Sequence, residues 1–357
     1  MHEIRGRGHY RGRHRARRRA SRIRRLALPL GIGAIVVGLI AVDGGSVDQH
    51  VAAGRTAGAA SATVNRTWKS GVFAGYTPAA DRGFAAWRGA PIQTATEFTP
   101  AVTWAQLEDP AQIIADWGSV HSVQLVLSTA LWPGQGGNLK AASRGRYDHH
   151  FRELARNLVR GGLANTDIRL GWEFNGTWYR WSVQSPRQAK EFAAAWRHIV
   201  RAMRSVPDQQ FGFDWCVTVP NAGGLNPALS YPGNRYVTEV AADVYDRNPG
   251  ARVDPMQRWN ALRLASYGLL WQAKFAALHH KPIAFPEWGL VSNPARPAAG
   301  GGDDPTFVRE MYAWFASHNT SFEDYFDSVD HLGADFRISA PDGHFPNAAA
   351  AYRELYS

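Results

Sequence analysis

The chain has 357 residues and a formal net charge of +10, from 40 Lys and Arg against 30 Asp and Glu. That excess is local: residues 1–25 hold eleven arginines and one glutamate, and the remainder is formally neutral, so the body lacks the basic surplus expected of a domain that binds nucleic acid. A single cysteine, Cys216, rules out intrachain disulfides and argues against a cysteine-ligated zinc.

After the Arg-rich tail, residues 26–42 form an uncharged apolar run at the short limit for a membrane-spanning helix. Arginines ahead of such a run hold the N-terminus in the cytoplasm and direct the C-terminal remainder of the chain across the membrane. No convincing small-x-small cleavage site lies just beyond it, so a retained signal anchor is expected over a cleaved signal peptide. The chain is therefore expected to be extracytoplasmic and held to the membrane through residues 26–42, or secreted if that segment is removed. Residues 43–66, rich in Ala, Gly, Ser and Thr, read as a flexible linker. Residues 67–357 read as one domain, expected to be monomeric.

Within that domain, strands are expected at residues 71–75, 92–97, 123–129, 168–173, 211–217, 237–244, 282–285 and 322–326. The third and fifth are mostly continuous apolar runs, as in strands buried on both faces of a parallel sheet. Helical spacing separates them: Tyr147, Phe151, Leu154, Ala155 and Leu158; Phe192, Trp196, Ile199, Val200 and Met203; Phe307, Met311, Trp314 and Phe315. Asp109-Pro110, Ser185-Pro186 and Asp304-Pro305 each offer an N-cap followed by proline at the first helical position. Eight strands alternating with helices predict an α/β fold, the (β/α)8 or TIM barrel. An open doubly wound sheet is the rival, weakened by the lack of a glycine-rich phosphate loop after the first strand.

Two segments carry the chemistry. Ile168-Arg-Leu-Gly-Trp-Glu-Phe-Asn-Gly-Thr-Trp-Tyr-Arg-Trp181 ends a strand in Glu173 and continues into an aromatic loop. Pro282-Ile-Ala-Phe-Pro-Glu-Trp-Gly289 ends a strand in Glu287. Strand C-termini of a barrel converge on one face, so both carboxylates would enter one pocket. Paired carboxylates are what glycosidic cleavage needs, one to protonate the leaving oxygen and one to attack or to activate water. A strand-end glutamate can equally serve a salt bridge, and the pair, each flanked by tryptophan and glycine, raises the catalytic reading.

The segment Arg169-Leu-Gly-Trp-Glu-Phe-Asn-Gly-Thr-Trp-Tyr-Arg-Trp181 resembles the acid/base motif of glycoside hydrolase family 26, the β-mannanase and related endo-glycanase family. Residues 231–237 with Asp243-Val-Tyr245 are similar to that family's sixth strand, and residues 282–289 to its nucleophile strand. The likeness runs over nearly all of residues 70–355. It implies a retaining mechanism on a β-mannan, mixed-linkage β-glucan or related β-glycan, with no metal or other cofactor. It makes Glu173 the acid/base and Glu287 the nucleophile. Tyr245 would orient the nucleophile, Asp243 and Trp178 would contact the sugar, and Arg169 would pair with a carboxylate. The family usually has histidine before its acid/base; Trp172 stands there instead and cannot accept a hydrogen bond, so the preferred sugar is open. Asn175 lies in the same loop and is a further candidate for substrate binding. Trp181, Trp215, Trp259 and Trp288 are candidate stacking platforms for sugar rings, whereas Trp196 and Trp314 fall on helix faces and read as core. No histidine pattern matches a metal site. The rival classes are a catalytically silent carbohydrate-binding barrel and a protein whose function is the basic tail, on anionic lipid or nucleic acid.

Overall fold

The structure is a computed structural model that describes residues 66–247, 252–293, 300–330, 332–341 and 343–357. The readings for the Arg-rich tail, the anchor at 26–42 and nearly all of the linker lie outside the described residues. Among the described residues no helix is long and apolar enough to cross a membrane.

Eight parallel strands close into a barrel in sequence order: β1 (Lys69–Phe73), β2 (Thr94–Phe98), β3 (Gln124–Thr129), β4 (Asp167–Leu170), β5 (Gly212–Val219), β6 (Glu239–Asp246), β7 (Ile283–Leu290) and β8 (Thr320–Phe326). Closure is made by β1 on β8, with Gly71 opposite Asp324. The helices are α1 (Pro78–Arg88), α2 (Trp104–Glu108), α3 (Ala111–Trp117), α4 (Leu139–Ala142), α5 (Asp148–Arg160), α6 (Pro186–Arg204), α7 (Pro255–Leu264), α8 (Leu269–Leu278), α9 (Pro305–Ser317) and α10 (Pro346–Tyr356). All eight expected strands are present. Two boundaries differ in a way that matters: β4 stops at Leu170, and β7 runs on through Glu287 to Leu290.

The crossover from β5 to β6 has no α-helix, only two short 3-10 turns at Pro227–Ser230 and Asn234–Tyr236. Pro220, Gly223, Gly224, Pro227, Pro232 and Gly233 interrupt every possible helical run there. Caps behave as their chemistry requires. Ser185 accepts from the Gln188 amide, and Asp304 from the amides of Thr306 and Phe307. Asp109 is the exception, because it ends α2 and leaves Pro110 as an N-cap without a side-chain acceptor.

The barrel has two unlike faces. Toward the helices it is mostly apolar: Trp215 packs on Phe174 and Phe275, and Trp288 on Phe307, Phe315 and Tyr352, with Glu97 and Glu323 the acidic exceptions, accepting from the indoles of Trp117 and Trp288. Toward its axis it is polar. The Thr96 hydroxyl on β2 donates to Asp324 on β8 at 2.7 Å, and Arg169 on β4 donates to Ser128, Asp243 and Glu287 on three other strands. Hydrophobic burial in the outer shell therefore stabilises the fold, and the interior is left to carry charge.

Candidate active site

Glu287 lies on β7, paired in register with Asp243 of β6. Its carboxylate is clamped from two sides: Oε1 accepts from Arg169 Nη1 at 2.5 Å and Oε2 from the Tyr245 hydroxyl at 2.5 Å. One donor on each oxygen fixes the plane of the carboxylate and leaves each with a free lone pair. The Arg169 guanidinium is shared, because its other terminal nitrogen donates to Asp243. One cation between two carboxylates does not neutralise both, so Glu287 is oriented without being cancelled. Asp243 in turn accepts from the Cys216 thiol at 3.2 Å. Arg169, Asp243 and Cys216 are wholly buried.

Glu173 comes after β4, beyond a sharp turn. Gly171 has φ +54°, and a Cβ there would meet Leu131 at 2.8 Å, so that position requires glycine. Glu173 itself sits at φ +50°, a left-handed conformation that a glutamate rarely adopts. The backbone is held there by Glu173 N–H donating to the Cys216 carbonyl at 3.0 Å and by the Glu173 carbonyl accepting from Gly176 N–H at 2.8 Å. Strain at a buried polar residue, fixed by its neighbours, often accompanies a positioned functional group.

Electrostatics separate the two carboxyls. Burial pushes Glu173 up to about 7, helped by the negative charge of Glu287, while Arg169 and hydrogen bonds from Trp178 and Thr218 pull the other way. Trp178 Nε1 donates to Glu173 Oε2 at 2.9 Å. Glu173 thus holds a proton near neutrality beside the clamped carboxylate of Glu287, as a carboxyl tuned by its environment does.

The aromatic loop divides into roles. Trp178 and Tyr179 are half-buried at the mouth. Trp172 donates from Nε1 to the Tyr179 hydroxyl at 2.9 Å and packs edge-on against Phe98. Trp181 is buried behind them, stacked 4.5 Å from Tyr179 and donating to the Trp172 carbonyl. It braces the loop and offers no face to a sugar.

The structure corrects five further expectations. Trp215 and Trp288 are each fully buried in the helix-facing layer, because each is next in sequence to an inward residue and alternation turns it outward. Trp259 is buried on α7 against Trp314 of α9. Asn175 does not face the cleft: its amide donates to the Thr218 carbonyl and accepts from the Thr218 N–H, tying the Glu173 loop to β5. Asp243 accepts from Arg169 and from the Cys216 thiol and is wholly buried, so it holds Arg169 in place and is not open to a sugar hydroxyl. Conversely, Tyr76 after β1, Phe98 ending β2 and Tyr179 escaped the sequence reading. Tyr76 is exposed and packs edge-on against Phe73 at the end of β1. The strand-end rule that selected Glu173 applies equally to Tyr76 and Phe98.

No protein-family model matches the sequence, and no curated protein matches it. Solved structures do match in shape. The catalytic domain of the Bacillus sp. JAMB-750 GH26 endo-β-1,4-mannanase aligns with a TM-score of 0.52 at 16% identity, over 76% of this chain and 78% of that one. A double mutant of the Cellulomonas fimi endo-β-1,4-mannanase gives 0.55 at 15%, over 75% and 65%. GH26C from Muricauda sp. MAR_2010_75 gives 0.55 at 14%, over 81% and 85%. At these identities the likeness speaks for architecture, and the chain has the (β/α)8 barrel fold of the glycoside hydrolase family 26 mannanases.

Proposed function

We propose that this protein is a retaining, endo-acting β-glycoside hydrolase that cleaves a polysaccharide outside the cytoplasmic membrane. The observation that carries the reading is the pairing of Glu173, raised toward neutrality just after β4, with Glu287, clamped by Arg169 and Tyr245 in the C-terminal half of β7. In the first step the protonated Glu173 gives its proton to the leaving glycosidic oxygen while a Glu287 oxygen attacks the anomeric carbon. In the second, Glu173 takes a proton from water, which displaces Glu287 from the sugar. Trp178 offers its indole edge to Glu173 and its face to the adjoining sugar ring.

The fold neighbours described as endo-β-1,4-mannanases make β-mannan the first substrate to try. Mixed-linkage β-glucan and related β-glycans come next, because Trp172 replaces the hydrogen-bonding histidine usual in that family and uses its only donor on Tyr179. Residues 26–42 would hold the enzyme to the membrane, with the barrel exported.

The test is reducing-sugar release by residues 66–357 on β-mannan, mixed-linkage β-glucan, β-xylan and cell-envelope polysaccharides, with Glu287→Ala in parallel. Turnover that survives Glu287→Ala refutes the nucleophile. The near-complete burial of both carboxylates favours one other reading, a barrel that binds carbohydrate without turnover. Calorimetric binding of oligosaccharides with no reducing ends released would select it.

A further inference from the structure

The opposite end of the barrel holds a second group of acids. Asp167 is the first residue of β4, Glu239 the first of β6, and Asp214 lies between them on β5, paired in register with Glu239. One oxygen from each lies within 4.8 Å of the other two. A cation bound at about 2.3–2.6 Å from each ligand can touch all three across such a span.

Closeness alone would not distinguish a site, but the hydrogen bonding does. Asp214 is wholly buried and, among the described residues, no other side chain or amide donates to either of its oxygens, its one hydrogen-bonding neighbour being the Glu239 carboxyl; no donor group reaches Glu239 Oε2 either. A buried carboxylate without donors is costly. One proton shared between Asp214 and Glu239 would engage two of these three oxygens and leave the third bare. The neighbouring cations do not fill the gap. Lys69 and Lys281 act on the group only at a distance, and the Lys69 ammonium is bonded to Gln124 Oε1. Gln124 Nε2 donates to Asp167 Oδ2 at 2.7 Å, and Ser321 donates to Glu239 Oε1 at 3.3 Å. These outer contacts orient two carboxylates and leave their remaining oxygens for the centre. Gly212 on β5 also yields room: a Cβ there would lie 1.8 Å from Asp167 Oδ1. Asp167 and Glu239 keep slight exposure, which gives an ion a way in.

We propose that Asp167, Asp214 and Glu239 bind a hard divalent cation, Ca2+ or a similar ion, that ties β4, β5 and β6 together at the floor of the barrel. Three carboxylates and no nitrogen or sulfur ligand select an oxygen-preferring ion. The role is structural, since the site lies at the end of the strands away from Glu173 and Glu287.

The experiment uses the full-length chain in detergent, stripped with chelator. Calorimetric titration with CaCl2 is paired with thermal unfolding in CaCl2, MgCl2 or MnCl2. At ion concentrations about a hundredfold above Kd, the midpoint should rise by roughly 5 °C. Asp214→Asn and Glu239→Gln should each abolish the rise. A rise with MgCl2 or MnCl2 alone, lost in the same variants, equally supports the site with a smaller ion. No heat and no rise with any of the three ions in the wild-type chain overturns the proposal. So does a rise that survives both variants. Should Asp214→Asn fail to fold, Glu239→Gln and the wild-type titration decide.

Discussion

Trp178→Phe isolates one force acting on Glu173. The indole N–H donates to Glu173 Oε2 at 2.9 Å, which favours the ionised form and pulls down a carboxyl that burial has raised to about 7. Phenylalanine keeps the ring and removes the donor. A hydrogen bond to a charged group is worth about 1.5–3 kcal/mol. Because Trp178 is half-buried, water regains part of this, leaving about 1–1.5 kcal/mol, or roughly one pH unit. Losing a donor to the carboxylate destabilises the ionised form, so the pKa rises and the acid stays protonated to higher pH. The alkaline limb of kcat/KM should therefore shift from near pH 7 to near pH 8. The assay is a pH profile on an aryl β-glycoside or on the polysaccharide found active. Titration of 13C-glutamate signals by NMR reads the same shift without turnover. A limb that stays in place or moves to lower pH would refute the reasoning, since it would show that Trp178 does not hold the charge on Glu173.

Removing the shared cation should be worse for the fold than losing any single contact. Arg169→Met leaves Asp243 and Glu287 buried side by side, at a cost of about 3–5 kcal/mol, and thermal unfolding should fall by roughly 6–10 °C. Trp288→Ala opens a cavity between sheet and helices, again costing about 3–5 kcal/mol, while oligosaccharide affinity in calorimetry stays unchanged, as befits a ring that never meets substrate. Stability should also depend on pH. Burial raises Asp81, Glu97 and Glu323 to about 8 and Asp324 to about 7, whereas the unfolded chain releases these protons near pH 4. Between those values the native state binds more protons, so stability is full below pH 4 to 5 as far as these groups are concerned and declines as pH rises toward 8. Unfolding midpoints that rise from pH 5 to pH 8 would contradict this.

How much of the molecule is legible in its sequence depends on the signal each residue leaves. The eight strands are readable because a strand between helices must be apolar on its outer face, whatever it carries inside. Glu173 and Glu287 stand out as acids at the ends of such runs. The stacking tryptophans are misplaced when residue type is weighed above position. Trp288 is next to Glu287, and Trp215 precedes Cys216, whose thiol reaches Asp243 inside the barrel. Neighbours on a strand take opposite faces, so placing Glu287 inward already places Trp288 outward. Asn175 is beyond such an argument. Its partner, the Thr218 backbone on β5, is 43 residues away, and nothing local announces it. The acids at the barrel floor are invisible for the same reason, since each comes from a different strand with no shared motif.

These misses share a physical cause that also explains how the molecule can carry so much buried charge. Arg169, Asp243, Glu287, Asp324 and Asp214 are all nine-tenths or more buried, and every one of them faces the barrel axis while apolar rings fill the shell outside. Charges in that interior are costly unless something fixed answers them. At the end that holds Glu173 and Glu287 the answer is Arg169, placed so that it serves two carboxylates and leaves Glu173 to hold a proton. Midway, the Thr94 and Thr96 hydroxyls answer Asp324. At the floor no donor among the described residues reaches Asp214, and there a bound cation does what hydroxyls and arginine do elsewhere. Packing in the outer shell can then be weakened without disturbing the groups on the axis. Substitutions such as Trp288→Ala should accordingly move unfolding without moving the pH profile, and Trp178→Phe should do the reverse when unfolding is followed below about pH 6, where Glu173 is protonated in both proteins.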